Sequence, residues 1–519
     1  SLAGNWQSSK PSTNLIWKYS CGCYITIKKL VWRVQHSLFI KFLRNQMETL
    51  QRTANRGSIS TGYDIDNSCK FEDDNDEWLY RTNVSGTNRK TWTVSWWFKQ
   101  TELRSINGAA TEMWQGGAYG EATRAGIFAD DRFWLDIGGG DGNTGTRFRS
   151  LSNQLIRDTS AWYHVVIACD STQSTEADRL KVWLNGVEVT TWDQIQYPTL
   201  NYQSALQGTG GVQMKWGSAD ATYHGYSGYL AECHYLDGVT KVQTDFGEFD
   251  EDTGIWKPKE YTGAYGSNGT YLDFADASDL GDDESGNGND YTENNISSAD
   301  QASDSPTNNF CTLNPLMTNA GSANYLTVTE GGTKGVNAAA AYKISNSSIG
   351  LSGGKWYWEV KLTSISGVTG MGVTMPHYWD SDYTLGGTII LHSGARYNNS
   401  SRTDGVTNTF SAGDIVGFAL DMDATPPTLQ VYKNNTSEAN LMNGLSINGT
   451  GGAFLPEKKD FYFPKVVGYS NNTFECNFGG YTSFSISSAE SDANGYGNFE
   501  YAPPSGYYAI CTKNLAEYG

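Results

Sequence analysis

Three acidic residues spaced two apart offer the most direct chemistry in this chain. In GEFDED (residues 247–252), Glu248, Asp250 and Asp252 share one face if the segment is extended, because side chains alternate along a strand. Two carboxyl groups held ~5–5.5 Å apart let a retaining glycosidase use one as nucleophile and the other as acid/base. The run departs from the ExDxE arrangement of such enzymes. Asp252 stands where the last Glu belongs, and Glu251 puts a charge where an apolar residue belongs. It also sits in an acidic, turn-rich stretch. A solvated acidic turn is the expectation, and catalysis is not.

Other chemical motifs fail on context. Gly350-Leu351-Ser352-Gly353-Gly354 matches GxSxG but precedes a strand instead of joining a strand to a helix. Residues 140–145 match GxGxxG without a surrounding βαβ unit. Cys233 and His234 are neighbours on a predicted strand, so they point to opposite faces and cannot act as a nucleophile–base pair. None of the six histidines lies in HExxH, and no GxxxxGK[ST] occurs. Calcium is the one cofactor left open, because it takes hard oxygen ligands. Asp73, Asp74 and Asp76 are its candidate ligands, with residues 282–290 as a second acidic loop. Neither loop has the EF-hand pattern, and a solvated loop is the competing reading.

For ligand contact the aromatic loops matter more. Sugars present apolar C–H faces to Trp and Tyr rings, while Asp and Asn bind their hydroxyls. PHYWDSDYTLGG (376–387) gathers Tyr378, Trp379, Asp380, Asp382 and Tyr383. TWDQIQYPTLNYQ (191–203) supplies Trp192, Tyr197 and Tyr202. Each ring could equally pack onto its own domain.

The elements that must carry these loops are strands. Short alternating runs separated by Gly-, Asn- and Ser-rich turns dominate, and no convincing amphipathic helix follows residue 50. The chain reads as all-β, with two β-sandwich domains joined by an acidic, loop-rich connector. One hairpin can be drawn outright. Asn185-Gly186 suits a type I′ turn, which places Leu184 opposite Val187 and Val182 opposite Val189 on an apolar face. Trp183 then falls on the other, mixed polar face. Trp92, Trp96, Trp162, Trp356 and Trp358 lie in predicted strands and are expected to pack in cores or between sheets.

Charge bounds the partners. The 37 basic and 56 acidic residues give −19, which argues against binding a phosphate backbone and disfavours anionic membrane surfaces. Residues 1–46 hold seven of the basic residues and no acidic one. We read them as translated sequence upstream of a start at Met47, with a basic docking arm or amphipathic anchor as the alternative. Lysines and an arginine interrupt every apolar window there, so membrane insertion is not expected. The eight cysteines are scattered apart from Cys21 and Cys23, and we read them as reduced thiols of a protein assembled in a cytoplasm.

Residues 47–238 contain TWTVSWWFK, WYHVVIACD, LKVWLNGVEV and GYLAECHYLDG in that order, and this block resembles a concanavalin A-like lectin/laminin-G domain. Residues 324–480 contain GKWYWEV, DIVGFALDMD, LQVYKNN and FYFP…NFG, and resemble a SPRY domain. An acidic connector (239–323) separates them, and a tail (481–519) follows. The tandem, its connector and the SGYYAICTKNL tail resemble tail-fibre and structural proteins of marine tailed bacteriophages. That resemblance implies a non-enzymatic virion component, assembled in the host cytoplasm, that binds host-surface glycans or receptors through loops. It implies contact with other virion proteins and, by analogy, a homotrimer. A carbohydrate-active hydrolase on the concanavalin-like fold and a ligand-free virion decoration are the alternatives.

Overall fold

The computed structural model describes residues 62–82, 88–103, 110–117, 122–138, 147–206, 213–217, 225–317, 325–375, 387–398, 401–442 and 461–519. Most of these form strands or turns, and among them no helix is long and apolar enough to cross a membrane. The fold is all-β and consists of two sandwiches.

Each sandwich is organised by one ten-residue central strand whose alternation decides what is buried. In Thr91–Gln100, Trp92, Val94, Trp96 and Phe98 point inward and are fully buried. In Lys355–Ser364, Trp356, Trp358, Val360 and Leu362 do the same. Period two sends the intervening residues to the outer face, where Lys99 and Glu359 end up. Both outer-face residues are nonetheless buried, because other segments cover them.

The first sandwich packs two sheets. In one, Thr91–Gln100 lies between Tyr163–Asp170 and Gly228–Asp237. In the other, Arg132–Gly138, Thr123–Ile127 and Thr111–Gly116 are central. Between the sheets sit Trp92, Trp96, Trp114 and Trp216, with the Trp96–Trp216 pair meeting edge to face at 5.7 Å. In the second sandwich, Lys355–Ser364 pairs with Ile415–Asp421 and Asn472–Asn477, and the facing sheet centres on Thr369–Thr374 and Phe463–Tyr469.

The hairpin has the expected register. Val187 faces Leu184, the Val189 amide donates to the Val182 carbonyl, and Asn185 and Gly186 both have positive φ. Its faces differ from the expectation in two respects. Val187 is 61% exposed, because the two-residue strand Val187–Glu188 overhangs the sheet edge. Trp183 is buried on the outer face against Val166, Leu236, Phe246 and Tyr261, so that face is a second apolar layer.

Residues 239–317 contribute to that outer layer through Phe246 and Tyr261. Thr270–Leu272 and Gln301–Ala302 join one sheet of the first sandwich, and Thr292–Asn294 extends the other. The tail returns as well: Tyr508–Ala509 pairs in parallel with Trp356–Tyr357, and a short helix, Thr512–Tyr518, follows. The six cysteines among the described residues are buried and unpaired.

Candidate ligand-binding groove

The residues singled out from sequence scatter. Tyr378, Trp379, Asp380, Asp382 and Tyr383 lie outside the described residues. Tyr202 is 7% exposed and packs edge to face on Phe148 at 4.8 Å, so its ring belongs to the core. Trp192 sits in the edge strand Trp192–Gln194, and Trp192 and Tyr197 lean half-buried on the same core. Of the five strand tryptophans, Trp92, Trp96, Trp356 and Trp358 are core, and Trp162 donates to Asp304 Oδ1 at 3.0 Å where the sandwiches meet.

The acidic segments act as turn staples. Asp250 Oδ1 accepts the Asp252 and Thr253 amides, and Lys257 bridges Glu248 at 3.3 Å and Asp250 at 3.4 Å. Asp283 accepts the Tyr271, Ser285 and Asn289 amides, which closes the second acidic loop. Asp73 and Asp74 lie in a short 3-10 turn that ends at Asp76 in the left-handed region. Among the described residues no three His, Cys, Asp or Glu side chains converge as metal ligands.

Two buried constellations resemble catalytic ones and use up their chemistry internally. His164 Nε2 lies 2.9 Å from Ser95 Oγ, and the Trp256 indole N–H donates to His164 Nδ1 at 3.0 Å. Indole can only donate, so Nδ1 is the acceptor and Nε2 carries the proton toward serine. That is the reverse of activating a nucleophile. Burial between Trp97 and Trp256 drives the imidazole pKa down to about 3. Glu232 sits at a β-bulge with φ 51°, and its two oxygens accept hydroxyls from Tyr63 (2.8 Å) and Tyr271 (2.7 Å). His234 stacks on Tyr271 at 4.4 Å, while Cys233 points into the core. Each oxygen of Glu232 thus already accepts a tyrosine hydroxyl.

Among the described residues one cleft is large enough to admit a small ligand, and nothing local in the sequence announces it. Asn67, just before the strand Ser68–Phe71, forms one wall with Ser298, Ala299, Gln301, Ala302 and Ser303, and residues from the stretch 480–498 form the other. It encloses about 570 Å³, within the ~300–1,000 Å³ of small-ligand sites. Asn67, Gln301, Ser303, Ser485 and Asn498 line it, with Tyr481, Phe484 and Ile486 as apolar surface, although the Gln301 carboxamide donates to the Phe274 and Ala275 carbonyls and the Ser303 hydroxyl to that of Gly480. No Asp, Glu, Lys or Arg is among the lining residues. The buried hydroxyl of Thr482, another lining residue, has no hydrogen-bond partner.

The walls are held by buried charges behind them. Lys70 reaches Glu77 (2.9 Å), Asp300 (3.0 Å) and Glu330 (3.3 Å), and its ammonium lies 5.5 Å from the Tyr481 ring centre. Burial pulls the Lys70 pKa down, but Tyr481 and the three carboxylates outweigh it and keep it above the ordinary value. Lys99 donates to Asp304 Oδ2 (2.7 Å), Asn309 Oδ1 (2.7 Å) and the Phe310 carbonyl (2.8 Å). The Ser303 amide donates to the Gly480 carbonyl at 3.0 Å, tying one wall to the other.

No protein-family model matches the chain. No curated protein matches it. Among solved structures, the SPRY domain of human HERC1 is similar at 18% identity, covering 28% of this chain and 89% of that one, with a TM-score of 0.23. The LG1-3 region of the laminin α2 chain is similar at 10% identity, covering 80% of this chain and 62% of that one, with a TM-score of 0.30. A heptameric SAP-like pentraxin from Limulus polyphemus is similar at 14% identity, covering 35% of this chain and 80% of that one, with a TM-score of 0.25.

Proposed function

We propose that this chain is a non-enzymatic component of a tailed-bacteriophage virion that binds host-surface glycans or receptors. The observation that carries the binding reading is the cleft: a ligand-sized space lined by Asn, Gln, Ser and Thr residues and by aromatic rings. The virion assignment comes from the ordered sequence elements, and with it come other virion proteins as partners and a homotrimeric fibre. A glycan array paired with a reducing-end assay tests the activity. Binding without sugar release is expected, release would make the protein a hydrolase, and neither would leave a ligand-free decoration. Ser485 is exposed on the cleft lip, so Ser485→Trp should block binding by at least ~10-fold without disturbing the fold. Immunogold labelling of purified particles tests the location, and unlabelled virions would refute it.

A further inference from the structure

We propose that the cleft takes an uncharged saccharide and rejects acidic sugars, a specificity that rests on the glycan-binding reading above. The chain carries −19, yet the cleft lining contains no carboxylate, ammonium or guanidinium. Hydroxyls and carboxamides both donate and accept, which matches sugar hydroxyls that also do both. Two ammonium groups approach the lining rings, Lys70 at 5.5 Å from the Tyr481 ring centre and Lys361 at 5.2 Å from that of Phe484. Neither lysine lines the cleft, and Lys70 is already held by three carboxylates. Asp300, beside the lining residues Ala299 and Gln301, is turned to Lys70 and to the Ser297 amide. A uronate or sialate carboxylate entering here would lose water with no cation among the lining residues, in a protein whose net charge repels it. A neutral ring loses no ionic hydration, and its hydroxyls can pair with the exposed Ser485 and Asn498 of the lining.

The test is calorimetry on the full chain with cellotetraose, maltotetraose and chitotetraose against tetragalacturonic acid, at about 50 and about 500 mM NaCl. At least one neutral tetrasaccharide should bind ~10-fold or more tighter than the acidic one, with an affinity that salt leaves unchanged. Asn498→Ala should weaken it ~10-fold while Tm holds, because Asn498 is exposed on the cleft wall and its carboxamide can pair with sugar hydroxyls. Ser485→Arg should raise affinity for tetragalacturonic acid ~10-fold by supplying the missing cation. Tighter binding of the acidic sugar to the unaltered protein would overturn the proposal. So would neutral binding that both substitutions leave untouched, which would place the glycan site elsewhere while glycan binding itself stands. Failure of every tetrasaccharide here and of every glycan on the array would overturn the glycan-binding reading and this specificity with it.

Discussion

The two central strands bury their inner faces alike and their outer faces differently. Thr91–Gln100 and Lys355–Ser364 each send four large apolar residues inward at period two. On the outer face the first presents Lys99, enclosed by Asp304, Asn309 and the Phe310 carbonyl. The second presents Glu359, enclosed by neutral donors. Tyr357 Oη (3.1 Å) and the Tyr501 amide (2.9 Å) donate to Oε1, and Asn477 Nδ2 (3.2 Å) and the Glu500 amide (3.0 Å) donate to Oε2. One returning segment is therefore pinned by an ion pair and the other by hydrogen bonds to a lone carboxyl. A buried ammonium with its carboxylate keeps its charge, whereas a buried carboxyl without a cation is driven toward its neutral form.

The sharpest way to break this contrast is Lys99→Met. It leaves Asp304 buried without its cation and should cost ~3–5 kcal/mol in denaturant unfolding. Replacing both partners, as Lys99→Met with Asp304→Leu, should cost less than the sum of the two single changes. A single change near zero would show that the pair does not hold the junction. Gly186→Ala comes next. Its φ is +76°, and a Cβ there would collide with the Trp256 ring, so a loss of ~1–3 kcal/mol and displacement of the 247–258 hairpin are expected. Trp256 fluorescence would report the displacement.

Glu359 tests the other half of the contrast. Burial outweighs its four hydrogen bonds and pushes its carboxyl up to about 7 from an ordinary 4.5. A raised folded pKa means the stabilising contribution is complete below about 4.5 and is lost as pH rises through about 7. Glu72, which accepts the Ser227 hydroxyl and the Glu330 amide, is pushed up to about 7 by burial and by Glu102, and acts in the same direction. Glu359→Gln should therefore flatten the fall in stability between pH 5 and 8. It should cost ~1 kcal/mol at the acid end, where its NH₂ group faces donors. An unchanged pH profile would refute the assignment. Smallest of all, Glu248→Ala should change stability by no more than ~0.5 kcal/mol, since the Glu248 carboxylate is exposed and Lys257 keeps Asp250 as a partner.

These contrasts also mark where sequence reading stopped. The type I′ hairpin was legible because Asn185-Gly186 encodes positive φ locally. Val187 was placed on an apolar face by alternation, but alternation does not say where a sheet ends, and the residue overhangs its edge. Trp183 looked like an outer-face residue and is one, yet Phe246 and Tyr261 arrive from the connector to bury it. Tyr202 was equally ambiguous, since a ring after a hairpin can face solvent or core, and here Phe148 claims it. The cleft left no local signal, because Asn67, Gln301 and Thr482 are brought together across more than four hundred positions.

By itself the sequence determined an all-β chain with two sandwiches, because strand alternation and turn chemistry are written within a few residues. It also placed Trp92, Trp96, Trp356 and Trp358 in strands that pack in cores, because large apolar rings in an alternating strand are buried at period two. Only the tertiary structure decided that Lys99 and Glu359 would both be buried, and by partners of opposite kinds. Only the tertiary structure assembled an uncharged cleft in so acidic a chain. Burial and electrostatics depend on what is packed alongside, and those neighbours come from segments hundreds of residues away.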